Sequence, residues 1–350
     1  MKMSSAFAAS GCDVTLIAKT EEPTAEPFKH YLVDRQFEIE FEKEPNIRTL
    51  GRIIFGWRAA RRFKSLGIKP DLLYGRDLGS LFIAANTDIP FVVELHDVHP
   101  DRIGRYLVKK LSLRENCRGI VAISNALKRD LLRSFPSLRP ENVLVAADAA
   151  DDPLDKNGRL CEYRDVDLPR VGYIGHLYPG KGMELASVLA ERMRDVRFEI
   201  IGGTQEDIES WRQRLSVNNL TFHGFVPHSQ LASKYRMLDI CLLPIQRKVA
   251  LAGGGREIGK WTSPLKLFEY MSYGMPIVAS DVPVLREVLT DRVNAILVAP
   301  EDVDGWVAAI EELVADANLR AKIGRRARAD FLAEYTWRSR VDKVLGLISR

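Results

Sequence analysis

Cysteine is scarce in this chain of 350 residues. Cys12, Cys117, Cys161 and Cys241 stand far apart, with no C-x-x-C and no Cys/His cluster. That excludes a disulfide framework or a thiolate zinc site and fits a reducing cytosol. Long apolar runs are missing as well. No stretch approaches the roughly 18–20 residues that span a bilayer, and Met1–Ser10 runs straight into Gly11-Cys12 without a secretory signal. There is no G-x-S-x-G, and so no hydrolase elbow. A G-x-G-x-x-G with a downstream acid after a first strand is also absent, which removes the nicotinamide oxidoreductases. No Asp-x-Asp stands at a strand end in a form that demands a metal. Net charge is small, +4 from 51 Lys and Arg against 47 Asp and Glu, and no nucleic-acid motif accompanies it, so nucleic acid is not an expected partner.

What is present is an ordinary globular composition, 46% hydrophobic and 28% charged, at a length that suggests two domains. Short β-rich runs alternate with helical patterns, which predicts parallel sheets built from βα units. Six strands are expected in the first half: 13–18, 37–41, 71–75, 90–95, 119–124 and 143–146. Six more follow at 171–175, 196–202, 220–222, 239–243, 276–280 and 294–298. The polar segment 147–168 between the two series reads as a linker. The fold class is therefore α/β, two tandem doubly wound Rossmann-like domains, here 1–158 and 159–334. A closing helix at 335–350 packs back on the first domain. A doubly wound domain normally opens on a strand, whereas this chain starts in a helix-like stretch, so the first domain is expected to lack its first strand and upstream residues to be lost.

Charge is uneven along the chain. Between Asn46 and Arg139 there are 18 Lys and Arg against 8 Asp and Glu. Two basic, helix-like segments, 48–64 and 102–110, carry much of the excess. Such surfaces suit an anionic membrane or a negatively charged substrate; a packed helix with a solvated basic side is the alternative.

The richest motif runs from Thr262 to Ser280. Ser263 reads as an N-cap, Pro264 as the first helical residue, Leu265 as the start of the apolar pattern and Gly274 as a left-handed stop. Lys266 breaks the local rule, because a cation in the first turn opposes the helix dipole unless an anion binds there. Glu269, almost a turn later, can accept hydrogen bonds from sugar hydroxyls. Together they suggest a sugar nucleotide, against the plain reading of a lysine snorkelling into solvent. The strand 171–175 ends at Gly175, followed by His176 and Lys181, a glycine loop before a helix that can hold a diphosphate. His96, after the strand 90–95, is a candidate to position a sugar or acceptor in an interdomain cleft, or else a satisfied buried histidine. Gly202, Phe225 and Val226 could admit a base against the backbone, and otherwise read as turns. Gly253-Gly254-Gly255 suggests a loop that closes over a donor.

Taken together, Ser263–Met271, Ser280–Val288, Gly172–Gly182, Val121–Leu127 and Tyr335-Thr336-Trp337 resemble the retaining family 4 glycosyltransferases of GT-B fold. The resemblance implies sugar transfer from a nucleotide donor held by the second domain to an acceptor bound mostly by the first, with anomeric configuration kept and neither metal nor cofactor required. It implies roles for Glu269 at the ribose, Lys181 at the diphosphate and His96 near the transferred sugar. Two positions depart from the family pattern: the first glutamate of its pair falls at Trp261, with Glu257 a conceivable substitute, and His176 stands where arginine is common. The expected activity is a hexosyl transfer in bacterial cell-surface polysaccharide or glycolipid synthesis, with a glycan or lipid-linked acceptor. The expected location is the cytoplasm, peripheral at the inner face of the plasma membrane if the acceptor is lipid-linked. A sugar-nucleotide epimerase and a non-catalytic nucleotide-sugar-binding scaffold remain as alternatives.

Overall fold

The computed structural model describes residues 1–20, 26–43, 48–99, 101–156, 160–163, 168–246 and 260–348. The triple glycine 253–255, Glu257, Asn157 and Gly158 lie outside them. Two compact units emerge: Met1–Ala147 with Trp337–Arg350, and Asp148–Thr336. The change of unit comes ahead of position 158 because the polar stretch after Ala147 is already hydrogen-bonded within the second unit. There the Asp148 amide donates to Ser263 Oγ at 2.9 Å and the Ala150 amide to the Tyr335 carbonyl at 3.2 Å.

The first unit runs α1 (Lys2–Ala9), β1 (Thr15–Thr20), α2 (Pro27–His30), β2 (Glu38–Lys43), α3 (Arg48–Ser65), β3 (Leu73–Gly75), α4 (Leu78–Ala84), β4 (Phe91–Leu95), α5 (Arg102–Ser112), β5 (Cys117–Ala122), α6 (Asn125–Ser134) and β6 (Val143–Val145). All pairings are parallel, in two sheets, β1-β2 and β3-β4-β5-β6. Every residue of β4 is buried, as expected of a strand covered on both faces. A sheet of order 3-2-1-4-5-6 would carry an opening strand between β1 and β3. None stands there among the described residues.

The second unit runs β7 (Arg170–Ile174), α7 (Met183–Arg192), β8 (Arg197–Ile201), α8 (Gln205–Arg212), β9 (Leu220–Gly224), α9 (His228–Arg236), β10 (Ile240–Leu243), α10 (Leu265–Ser272), β11 (Ile277–Ser280), β12 (Ile296–Val298), α11 (Val303–Ala315) and α12 (Ala317–Glu334). Its six parallel strands lie in the order β12-β11-β10-β7-β8-β9. Counted from β7 this is the doubly wound order, with its switch point between β7 and β10, where such sheets take ligands beyond the strand ends. Val171, Phe198, Leu242 and Val278 from the sheet and Trp306 and Ile310 from α11 share one core. The indole N–H of Trp306 donates to the Ala299 carbonyl at 3.1 Å, satisfying its polar edge in that interior.

The last helix, α13 (Trp337–Leu345), belongs to the first unit. Its Val341 and Val344 pack with Phe7 of α1, Val92 and Val121 in one core. No helix among the described residues is long and apolar enough to cross a membrane.

Candidate functional site

At the carboxyl edge of the second unit's sheet the backbones of three strands meet. The Gly175 amide donates to the Ile201 carbonyl and the Gly202 amide to the Gly224 carbonyl, both at 2.8 Å. Gly175 and Gly202 have φ of 149° and 121°, and a Cβ on Gly202 would fall 2.1 Å from the Gly175 carbonyl oxygen. Only glycine allows that approach. Phe225, directly after β9, is 79% exposed, an aromatic face left open at this edge, and Val226 beside it is half-buried.

Lys266 does not snorkel outwards. Its ammonium lies 4.2 Å from the centroid of the Tyr173 ring, above Gly175, where a Cβ would come within 3.2 Å of Nζ. Burial lowers the amine's pKa to about 7; Lys181 adds to the fall and Glu269 opposes it. Lys181, in the loop before α7, is also lowered by burial. Neither amine makes an ion pair among the described residues. Lys266 on a helix start and Lys181 on a glycine loop thus each disfavour the other's charge, an arrangement that an anion would relieve. His176 lies in the same loop, exposed and stacked on Tyr178 at 4.9 Å with an 8° tilt, while its carbonyl accepts from the Tyr173 hydroxyl at 2.6 Å.

The start of α10 corrects one expectation. Its N-cap is Pro264, at φ −75° and ψ 115°, with no side-chain cap, and the helix proper begins at Leu265. Ser263 stands one residue too early to cap, and its hydroxyl instead takes the Asp148 amide. The first-turn amides thus keep no side-chain partner at the cap, which suits an external acceptor. Gly274 does adopt the left-handed conformation, φ 68°. The Tyr270 hydroxyl accepts from the Ile174 amide at 3.1 Å and donates to the Leu242 carbonyl at 3.3 Å, pinning α10 to β7 and β10. Glu269 Oε2 accepts from the buried Tyr235 hydroxyl at 2.8 Å. Nothing local in the sequence singles out Tyr173, Tyr235 or Tyr270, because their hydroxyl partners are set by tertiary structure.

In the first unit, His96 follows β4 and its Nε2 is bonded to Glu94 Oε1 at 2.7 Å. Glu94 is 3% exposed and also accepts from Arg340 Nη1 at 3.0 Å and from the Tyr74 hydroxyl. Burial alone would raise its pKa, but His96 and Arg340 outweigh it and hold the carboxyl below its ordinary value. His96 is therefore fixed by a side-chain carboxylate, and α13 supplies the carboxylate's counter-charge.

Residues 1–146 match the family described as Glycosyltransferase Family 4, and residues 168–316 match Glycosyl transferases group 1. A glycogen synthase of Mycobacterium tuberculosis is 24% identical over 375 aligned residues, covering 96% of this chain and 86% of that one. A phosphatidyl-myo-inositol mannosyltransferase of Mycolicibacterium smegmatis is 31% identical over 227 residues, 64% of this chain and 55% of that one. Among solved structures, HepE of Anabaena in complex with UDP superposes with a TM-score of 0.69 at 17% identity, covering 97% of this chain and 100% of that one.

Proposed function

Because the chain belongs to the family 4 glycosyltransferases and has their GT-B fold of two Rossmann-like domains, we propose that it transfers a hexosyl group, with retention, from a nucleotide sugar to a glycan or lipid-linked acceptor. The observation that carries the donor assignment is the enclosed Lys266 ammonium over Tyr173 and Gly175, whose charge Lys181 of the neighbouring glycine loop disfavours further. In this reading both amines and the α10 amides hold the diphosphate and stabilise the charge that develops on it as the glycosidic bond to the nucleotide breaks. Such electrostatic stabilisation is usually what lowers a barrier of this kind most. The UDP bound in HepE supports a nucleoside diphosphate as leaving group. Glu269, held by Tyr235, takes the ribose hydroxyls. Gly202, Phe225 and Val226 bound the base, and Gly175, His176, Ser263, Pro264 and Leu265 shape the phosphate pocket around Lys266. His96, oriented by Glu94, positions the transferred sugar. The reaction as proposed uses neither metal nor cofactor, the lysines filling the role a divalent ion would have.

The names of the relatives span glycogen and phosphatidyl-myo-inositol, and the basic helices of the first unit favour the lipid side, in cell-surface polysaccharide or glycolipid synthesis at the inner face of a plasma membrane. Screening nucleotide sugars by thermal stabilisation identifies the donor, since a ligand at 100 times its Kd adds about 2.7 kcal/mol. With that donor, Lys181→Ala is expected to lower transfer by orders of magnitude at unchanged fold. Turnover near that of the parent protein would refute the phosphate role.

A further inference from the structure

Helix α5 of the first unit is covered on one side only. Gly104, Val108 and Leu111 face the core. The other side carries two adjacent stripes at helical spacing. Arg102, Arg105 and Lys109 form one. Ile103, Tyr106 and Lys110 form the other, continued by Leu113 just past the helix end, and its three apolar members are 51%, 53% and 56% exposed. Between Asp101 and Leu113 the chain has no acid. The turn after α6 lies alongside and brings Phe135 and Pro136 to a groove of about 590 Å³ shared with Arg102, Arg105, Tyr106 and Lys109; among the described residues no carboxylate lines it. Arg105 is held in place, its guanidinium 5.3 Å from the Phe135 ring centroid and Nη2 donating to the Ser134 carbonyl at 3.3 Å. Arg102 and Lys109 make no ion pair among the described residues.

A single exposed leucine means nothing. Here, though, three large apolar side chains share one helix face with a row of cations, beside a groove of the same sign. An acidic peptide or a polyphosphate would account for the cations and leave the apolar stripe in water. An anionic bilayer surface accounts for both, the headgroups meeting the cations and the acyl boundary taking the apolar side chains. We propose that α5 and the turn after α6 form a seat for an anionic phospholipid headgroup, with Ile103, Tyr106 and Leu113 entering the interface. The helix starts six residues after His96, a chain length of roughly 20 Å at most, so a protein seated this way holds the His96 loop close to the lipid surface. This deepens the reading of a lipid-linked acceptor and rests on it for its purpose, but its test needs no turnover.

The full chain is floated with vesicles of phosphatidylcholine alone or enriched in phosphatidylglycerol. Binding is expected to the anionic vesicles only and to be released by salt. R102A/R105A/K109A should weaken it on the order of a hundredfold, since each basic residue near such a surface contributes about fivefold. Y106A/L113A should weaken it several-fold while leaving the salt dependence in place. Thermal stabilisation by the donor nucleotide, measured in parallel, should be unchanged in both variants, which shows that they are folded. Equal binding to neutral vesicles, or a triple variant that floats like the parent, overturns the proposal. So does capture by polyglutamate without vesicle binding, which makes the groove a site for an acidic polypeptide. Loss of nucleotide binding in the parent protein, with flotation intact, sinks the donor reading and leaves this one standing.

Discussion

Lys266 is strongly altered by its surroundings. Its pKa of about 7 lies far below the ordinary lysine value, so between the two the unfolded chain holds a proton that the folded protein lacks. Folded stability is accordingly penalised in full below about pH 7 and recovers as pH rises towards the ordinary lysine range. A bound diphosphate favours the charged amine, so binding above about pH 7 should draw in a proton. Affinity for the nucleoside diphosphate is then expected to fall as pH rises from about 7 to 9, by at most about tenfold per pH unit, and Lys266→Met should abolish the slope. Titration calorimetry in buffers of different ionisation heat measures the uptake directly; binding with no proton uptake at alkaline pH would contradict it. Tyr235 allows a second test. It is buried, stacked on Tyr273 at 4.4 Å, and burial keeps its hydroxyl protonated and able to donate to Glu269. Tyr235→Phe removes a hydrogen bond to a carboxylate, worth about 1.5–3 kcal/mol, and should cost about tenfold in nucleotide affinity. The loss should vanish with a 2′,3′-dideoxy nucleotide, whereas general damage to the fold would weaken both ligands alike.

Among the elements, the junction from the Lys181 loop into α7 tolerates little change. Gly182 sits at φ 103°, and a Cβ there would fall 2.3 Å from both Cγ and the carbonyl oxygen of Pro244. Gly182→Ala combines left-handed strain with a backbone clash and should cost about 2–4 kcal/mol of stability, together with weaker diphosphate binding through the displaced Lys181. Denaturant midpoints and nucleotide titration check the two effects separately. At this scale the sequence is most legible where burial is two-sided. Each expected strand has its counterpart: β10 and β11, buried along their whole length, read as near-continuous apolar runs, whereas β2, Glu-Ile-Glu-Phe-Glu-Lys and partly exposed, is marked by alternation instead. Strand order is legible only through topology rules, since nothing in the run Ile240–Leu243 states that β7 and β11 flank it. The start of α10 is not legible locally because Ser263, a good capping residue by type, gives its hydroxyl to an amide 115 positions away. The role of Tyr235 is hidden for the same reason, its partner being 34 residues distant. Lys266 stands out locally because a cation in a first turn opposes the helix dipole, and Lys181 because it sits in a glycine loop that leads into a helix.

For the whole molecule the long-range tie that matters most joins Glu94 of β4 to Arg340 of α13, both almost fully buried. Arg340 also donates to the Ala147 carbonyl at 2.8 Å and the Ala146 carbonyl at 3.3 Å, so it closes the first unit through charge and backbone together. Breaking such a pair by removing one partner costs about 3–5 kcal/mol. Arg340→Ala should therefore speed hydrogen exchange in β4, β5 and α1 while the amides of β7 and β8 keep their protection; equal loosening of both units would show the tie to be less local than its contacts. No sequence signal marks this pair, because 246 residues separate its members. The same helix bears on how the chain is made. Synthesis proceeds from the N-terminal side, and domains generally fold in that order as they leave the ribosome. Asp148–Thr336 is one continuous stretch and can close as soon as it is out, whereas the unit begun before it must wait for Trp337–Leu345. Until then Phe7, Val92 and Val121 lack their cover and Glu94 its counter-charge. A chain ending at Thr336 and released from the ribosome should carry a finished second unit and an unfinished first, the earlier-made half being the one that chaperones hold.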